Sequence, residues 1–284
     1  MGIYAVTGGA SGMGAAVVTK LKDAGHTVIT VDLRDADVVA DLSTVAGRTA
    51  AISGVLAQAD GRLDGAVLAA GVGPMPEREE LIAQVNYYGV TELLDAWRPA
   101  LAAAGDARVV IFSSNSTTTV PAVPGGVVKS LLAGDAARAI KAAKRLGAKN
   151  APAMVYAGSK IAVTRWMRRA AVTAEWAGSG IRLNAIAPGA ILTPLLEKQL
   201  SEPDTAKAIE DFPVPVGGFG DPAQIADWVQ MMLSPSASFL CGALIFVDGG
   251  TDAYFRPDDW PAPLGILRVR EYMRKMKAFV PVKR

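Results

Sequence analysis

The stretch Thr7-Gly8-Gly9-Ala10-Ser11-Gly12-Met13-Gly14 decides the fold, because it joins an apolar strand (residues 2–7) to a helical run (residues 15–21) through a glycine-rich turn. Glycines let the backbone turn tightly and approach a pyrophosphate, whose charge the helix N-terminus attracts. The pattern predicts the first unit of a dinucleotide-binding fold, with Gly8, Ser11, Gly12, Met13 and Gly14 against the cofactor. The spacing is Gly-x-x-x-Gly-x-Gly, and a purely structural turn is the alternative.

An acid ends the next predicted strand, which runs from His26 to Asp32, about twenty residues after the glycine turn. A carboxylate there can accept hydrogen bonds from the adenosine ribose. The same charge repels a 2′-phosphate by a few kcal/mol, so NAD should be favoured over NADP by roughly two or more orders of magnitude. Arg34, two residues on, is the counter-argument, since a base there could bind a phosphate. We predict NAD(H) as the cofactor.

A tyrosine and a lysine one helical turn apart stand in Tyr156-Ala157-Gly158-Ser159-Lys160. Side chains four residues apart on a helix face the same way. A tyrosine that moves protons near neutral pH needs a pKa below its usual value of about 10, and a nearby cation lowers it. The pair alone is weak evidence, because a half-buried tyrosine beside a solvated lysine has the same pattern.

Apolar strands alternate with helical segments along most of the chain. We predict strands near residues 2–7, 27–32, 37–40, 64–69, 107–113, 180–187 and 243–247. Helices are predicted near residues 12–25, 44–60, 77–103, 152–177 and 222–233. This alternation predicts a single-domain α/β Rossmann fold, in which a doubly wound, seven-stranded parallel sheet has helices on both faces and ligands at the carboxyl ends of its strands.

Taken together, these motifs resemble the short-chain dehydrogenase/reductase family through about residue 250, most closely its 3α-hydroxysteroid dehydrogenase/carbonyl reductase type. Further matches are Asp41-Leu42 after the third strand, Asn86 in Gln84-Val85-Asn86-Tyr87, Ser114 after the fifth strand, Pro188-Gly189 with Thr193, and Val247-Asp248-Gly249-Gly250. The family's Asn-Asn-Ala-Gly appears here as Leu68-Ala69-Ala70-Gly71 without the asparagines.

The resemblance implies an NAD-dependent alcohol dehydrogenase or carbonyl reductase. In it, Tyr156 transfers the proton, Ser114 orients the substrate oxygen, Lys160 lowers the tyrosine pKa and binds the nicotinamide ribose, and Asn86 supports the active-site helix and a water. It also implies cofactor contacts, which would come from Asp41, Leu42, Ala70, Gly71, Tyr156, Lys160, Pro188, Gly189 and Thr193. The expected substrate is an apolar secondary alcohol or ketone, steroid-like or terpenoid. A 3-oxoacyl-thioester reductase and a catalytically silent dinucleotide sensor are the alternatives.

Composition sets limits on other classes of function. The net charge of +2 gives no general attraction to nucleic acid, and one histidine with one cysteine cannot build an ordinary zinc site. Cys241 is expected to be a buried small hydrophobe, and a single cysteine fits a reducing cytoplasm. No apolar run reaches about 18 residues and no leader is recognisable, so a cytoplasmic protein is expected. The family resemblance also implies that the protein forms a homodimer or a homotetramer.

Three segments depart from the minimal pattern of a catalytic domain over residues 1–252. Residues 115–151 form an insertion, with extra helix expected over residues 129–148. We favour a surface or subunit-contact role for it, and a wall of the substrate cleft is the alternative; both can hold. Residues 190–220 resemble the family's substrate lid. The extension over residues 253–284 has apolar residues at helical spacing between basic ones. A membrane surface and a protein surface are both possible partners for it, and we favour docking on its own or a neighbouring subunit; the apolar positions are Ile266, Val269, Met273, Met276 and Val280.

Overall fold

The computed structural model describes residues 1–201, 203–259, 265 and 268–279. Its centre is a seven-stranded, all-parallel sheet in the order β3-β2-β1-β4-β5-β6-β7. The predicted fold class is therefore confirmed, and the predicted strand positions agree within two residues at either end. The strands are β1 Ile3–Thr7, β2 Thr27–Asp32, β3 Val38–Val39, β4 Gly65–Leu68, β5 Arg108–Phe112, β6 Arg182–Pro188 and β7 Leu244–Val247.

Helices cover both faces of this sheet with their apolar side chains. This explains why the central strands are continuous apolar runs. On one face, Trp97 and Leu101 are fully buried with Val109 and Met167. On the other face, Leu21 and Val229 pack with strand residues such as Val67. The helices up to the sixth strand are α1 Gly12–Asp23, α2 Val45–Gln58, α3 Glu79–Ala83, α4 Gly89–Ala104, α5 Ser116–Thr119, α6 Gly125–Leu132, α7 Ala136–Lys144 and α8 Ala151–Ala170.

Three predicted helices differ from the observed ones. The helix predicted over residues 77–103 is interrupted by a π-helical turn, Gln84–Tyr88, between α3 and α4. The helix predicted over residues 152–177 ends at Ala170. The extra helix expected over residues 129–148 is two helices, α6 and α7, because the chain turns at Gly134 with a φ of 78°.

The strand register aligns the carboxyl ends of the central strands. Thr7 pairs with Val31 of β2 and with Leu68 of β4, and Phe112 pairs with Ile186 of β6. The chain order reverses between β1 and β4, where an open α/β sheet leaves a crevice for ligands.

The later helices lie after β6. They are α9 Pro194–Leu200 and α10 Pro203–Glu210 in the predicted lid, α11 Pro222–Leu233, α12 Thr251–Phe255, and α13 Val269–Ala278 in the extension. Within the described residues, no helix is long and apolar enough to cross a membrane. Cys241 is exposed, so the expectation that it is buried was wrong; its thiol lies 3.2 Å from the carbonyl oxygen of Ala171.

Candidate active site

A cavity of about 280 Å³ lies outside the carboxyl ends of β1, β2 and β4. Most of the predicted cofactor residues line it: Gly8, Ser11, Gly12, Met13, Gly14, Asp32, Asp41, Leu42, Ala70, Gly71 and Thr193. The sequence reasoning missed several apolar wall residues, namely Val31, Leu33, Ala40, Ala69, Val72, Leu81, Val85 and Pro194. Most of these are immediate chain neighbours of predicted residues, so their position beside the motifs was the available signal.

The glycine turn is shaped by close backbone contacts. Gly8 has a φ of 71°, and a Cβ atom there would lie 2.7 Å from the backbone nitrogen of Ala70. A Cβ atom on Gly14 would overlap the carbonyl group of Gly8. A side chain at Gly14 would push α1 away from the turn, and one at Gly8 would push the turn away from the loop after β4, so the glycines keep the helix N-terminus close to the cavity.

The Asp32 carboxylate is fixed at the cavity wall by two backbone donors. Its Oδ2 accepts from the N–H of Ala10 at 2.9 Å, and its Oδ1 accepts from the N–H of Leu33 at 2.7 Å. The negative charge therefore stands between β2 and the glycine turn. Arg34 points elsewhere: its side chain is 87% exposed and lies 4.0 Å from the Asp35 carboxylate.

Asn86 lies between the cavity and the buried Lys160 of α8. It is fully buried in the π-helical turn, a geometry often found at functional sites. Its Oδ1 accepts from the Val72 N–H at 2.9 Å, and its Nδ2 donates to the Val72 carbonyl at 3.0 Å. This two-bond clamp holds the loop after β4. A Cβ atom on Gly71 would lie 3.3 Å from Asn86 Oδ1 and 3.6 Å from Lys160 Nζ, so all three groups meet at Gly71.

Lys160 is buried and projects from α8 toward the end of β5. Its Nζ donates to the carbonyl oxygen of Phe112 at 2.7 Å. Burial lowers the pKa of Lys160 to about 8, because desolvation disfavours the charged ammonium.

Tyr156 packs against the core while remaining partly accessible. Burial raises the pKa of Tyr156 above its ordinary value, and the Ser114 hydroxyl acts in the opposite direction. The lowered tyrosine pKa expected from Lys160 is therefore wrong for this structure. Desolvation of the phenol has the larger effect on its pKa, and the Lys160 ammonium is hydrogen-bonded to the carbonyl oxygen of Phe112.

Ser114 is buried at the turn that follows β5. Its Oγ accepts from the backbone N–H of Ser116 at 3.1 Å, which leaves the hydroxyl hydrogen available for another acceptor. Two side-chain atoms beside it, Asn115 Nδ2 and Ser116 Oγ, are buried without a hydrogen-bond partner in the described part of the chain. The polar groups next to Ser114 are therefore incompletely satisfied.

Pro188 and Gly189 lie beside Ser114 and do not line the cavity. The Asn115 N–H donates to the Pro188 carbonyl at 3.0 Å, and the Gly189 N–H donates to the Val247 carbonyl at 3.1 Å. The predicted site residues therefore fall into two adjacent groups. The first lines the cavity at β1, β2 and β4, with Thr193 across from Gly12. The second lies at the ends of β5 and β6, where Lys160 contacts Phe112, Ser114 adjoins Tyr156, and Asn115 contacts Pro188.

This combination of a glycine-rich dinucleotide cradle and a Ser-Tyr-Lys group defines a class of nicotinamide-dependent oxidoreductases. Comparison with known proteins agrees with that class. A family model described as enoyl-(acyl carrier protein) reductase matches residues 139–252. The chain is 40% identical over 257 residues to the 3-alpha-hydroxysteroid dehydrogenase/carbonyl reductase of Comamonas testosteroni, covering 90% of this chain and 99% of that protein.

Two further relatives extend the comparison. The crystal structure of a 3-alpha-hydroxysteroid dehydrogenase from Pseudomonas sp. B-0831, complexed with NADH, has a TM-score of 0.84 and 43% identity, covering 91% of this chain and all of that one. A 4-formylbenzenesulfonate dehydrogenase of Comamonas testosteroni is 31% identical over 86% of this chain and 95% of that protein. The chain belongs to the short-chain dehydrogenase/reductase family of oxidoreductases, as the motifs predicted.

Proposed function

We propose that this protein interconverts a secondary alcohol and a ketone with NAD(H), using Tyr156 as the proton donor and acceptor. The observation that carries the proposal is the junction at Gly71, where a wall of the cavity meets Asn86 and Lys160. At this junction the cradle suited to a dinucleotide adjoins the groups suited to proton transfer. The NADH held by the Pseudomonas relative supports the choice of cofactor.

The residues of the cavity fit a dinucleotide. The first turn of α1 contains no acidic side chain, and Ser11 makes no side-chain capping hydrogen bond, so the N–H groups of this turn are available to a pyrophosphate. The adenosine half of the cofactor would contact Asp32 and Asp41. The nicotinamide half would contact Ala70, Gly71, Thr193 and the turn formed by Pro188 and Gly189. When bound, the nicotinamide ring supplies hydride transfer at its C4 atom.

The Asp32 charge favours NAD over NADP. A carboxylate held by two backbone donors would face the 2′-position, and its repulsion of a phosphate there is a few kcal/mol at an effective dielectric of about 20. Arg34 is solvated beside Asp35 and offers little compensation.

Proton transfer follows from the positions of two side chains, Ser114 and Tyr156. Ser114, already accepting from the Ser116 N–H, would donate its hydrogen to the substrate oxygen. In reduction, the Tyr156 phenol donates a proton to the developing alkoxide as hydride reaches the carbonyl carbon. In oxidation, the phenolate takes the hydroxyl proton as hydride leaves the same carbon. Because burial raises the tyrosine pKa, alcohol oxidation should accelerate with rising pH.

Aromatic side chains near the Ser114 turn favour an apolar substrate. Phe212, after the lid helices, lies 5.9 Å from Phe255 between ring centroids, and Phe255 lies 5.4 Å from Tyr254. Helix α12, which carries Tyr254 and Phe255, packs beside α5 directly after Ser114. Tyr254 is 63% exposed and Phe255 47% exposed. An apolar ligand would cover this surface and gain hydrophobic free energy from it.

The test is a panel of secondary alcohols incubated with NAD and, separately, with NADP, while the absorbance of NADH or NADPH is followed. The panel contains steroids, terpenoids, hydroxyacyl thioesters and sugar alcohols. We expect NAD-dependent oxidation of a steroid or terpenoid alcohol and a preference of at least about 100-fold in kcat/KM over NADP. Preferred oxidation of hydroxyacyl thioesters would contradict the substrate class. If no alcohol of the panel were oxidised while NADH binding stayed intact, a dinucleotide sensor would be favoured.

A further inference from the structure

Helix α13, with the flanking residues Arg268 and Phe279, has no role in the proposed catalytic site. The family model ends at residue 252, and the alignment to the Comamonas reductase spans 99% of that protein but only 90% of this chain. None of the ten residues of α13 is buried in the structure. Docking of this helix on its own subunit, which the sequence favoured as one option, is therefore not observed; Ile266 and Val280 lie outside the described residues.

The apolar side chains of α13 form one stripe. Val269, Tyr272, Met273 and Met276 recur at the spacing of one helix face and span roughly 100° of its circumference. They are between 45% and 60% exposed, and Phe279 after the helix is 73% exposed. A stripe of this kind gains free energy only when something apolar covers it.

The charges of α13 are arranged around that stripe. At about 100° per residue, Arg270 and Lys277 border one edge of the stripe, whereas Arg268 and Lys275 border the other. The only acid of residues 268–279, Glu271, projects from the opposite side, where it pairs with Arg268 and Lys275 in exposed ion pairs. Long basic side chains on both edges can extend toward anionic head groups while the stripe enters the apolar layer.

Net charge is divided unevenly along the chain. Residues 1–267 carry 22 Lys and Arg against 26 Asp and Glu, a net of −4, whereas residues 268–284 carry 7 against 1, a net of +6. Seven basic residues near one amphipathic helix are typical of segments that bind anionic lipid surfaces. We propose that α13 lies on an anionic membrane surface, with Val269, Tyr272, Met273 and Met276 inserted and its basic residues among the head groups.

This arrangement would hold an enzyme for apolar substrates next to the phase in which such substrates concentrate. The helix is short, so the apolar area and the charge must act together. Binding should therefore depend on anionic lipid and weaken with added salt. This dependence separates the proposal from simple hydrophobic adsorption.

The test is vesicle flotation of the full chain with pure phosphatidylcholine and with phosphatidylcholine containing about a third phosphatidylglycerol. We expect binding only to the anionic vesicles, reduced at least about tenfold when salt rises from about 0.03 M to about 0.3 M. Met273→Glu should reduce the partition coefficient more than about tenfold, because it places a charge in the stripe. Ala278→Glu adds the same charge on the far face and should change it less than about threefold.

Oligomer mass and dehydrogenase activity are measured on the same samples, and folded variants should retain both. Absence of wild-type binding to anionic vesicles at low salt would overturn the proposal. Equal losses in the two variants would also overturn it, since the stripe would then have no special role. A fall in oligomer mass for Met273→Glu without vesicle binding by the wild type would show that the helix docks on a second copy of the chain.

Discussion

The site has a cofactor half, formed by the residues that line the cavity at β1, β2 and β4, and a substrate half, formed by Ser114, Tyr156 and their neighbours at the ends of β5 and β6. The two halves differ in how completely their polar groups are hydrogen-bonded. In the cofactor half, Asp32 accepts from two backbone donors, and the cavity-wall residue Val72 exchanges two hydrogen bonds with Asn86. In the substrate half, Asn115 Nδ2 and Ser116 Oγ are buried without partners among the described residues, and apolar rings are exposed nearby. The first half is pre-organised by the protein alone, whereas the second has buried polar atoms without partners and exposed apolar rings.

The largest expected effect is on turnover, when the proton-transfer group is removed and the cofactor half is left intact. Tyr156→Phe should lower kcat by about 10³-fold or more, because it removes the group that transfers the proton. The affinity for NADH should change less than about threefold, since the glycine turn and Asp32 are untouched. Steady-state kinetics and NADH fluorescence titration measure the two quantities. Retention of normal turnover would show that another residue moves the proton.

The second prediction concerns the buried lysine between the two halves. The folded-state pKa of Lys160 is about 8, below its ordinary value of 10.5, so the folded protein releases this proton at a lower pH than the unfolded chain. The unfolded state then binds more protons between these values, and stability rises with pH across that window. The gain is about 3 kcal/mol at most.

Lys160→Met should abolish this gain. We expect the unfolding free energy of the wild type to rise relative to the variant between about pH 8 and about pH 10.5, measured in denaturant titrations. Taking the difference between the two proteins cancels the titration of the tyrosines and of Cys241. A difference that does not change with pH would mean that Lys160 is not desolvated in the free protein.

The third prediction tests the charge in the cofactor half. Asp32→Asn keeps an oxygen that can accept from Ala10 but removes the charge, and should lower the NAD/NADP ratio of kcat/KM by about 100-fold. Arg34→Ala is the matched control at the exposed neighbour and should change the ratio less than about threefold. If the two variants had equal effects, the specificity would not depend on Asp32.

The smallest expected effect is on the unfolding free energy, when two buried serines on either side of Ser114 are replaced one at a time. The Ser113 hydroxyl lies 2.8 Å from that of Thr164, whereas the Ser116 hydroxyl has no partner in the described part of the structure. Ser113→Ala should lower the unfolding free energy by about 1 kcal/mol, and Ser116→Ala should leave it unchanged or raise it. Chemical denaturation measures both. A loss for Ser116→Ala as large as that for Ser113→Ala would show that the Ser116 hydroxyl is hydrogen-bonded in the folded protein, and that this part of the substrate half is fully satisfied.

The sequence predicted most residues that line the cavity because their determinants are local. A glycine turn between strand and helix, and an acid at the next strand end, are set by backbone geometry within about thirty residues. The π-helical turn around Asn86 was not predicted, since it depends on the clamp to Val72 across the loop after β4. The raised tyrosine pKa was missed because desolvation depends on packing that spacing does not specify.

The central claim is direct hydride transfer between a secondary alcohol and NAD. Alcohols of the panel carrying deuterium on the carbinol carbon are incubated with the enzyme and NAD, and the reduced cofactor is analysed by mass spectrometry. We expect NADH that has gained one deuterium from the alcohol, with no label lost to water, and a rate of labelling at least about 10³-fold lower with Tyr156→Phe. Unlabelled NADH, or NADH binding without any transfer from the panel, would contradict it.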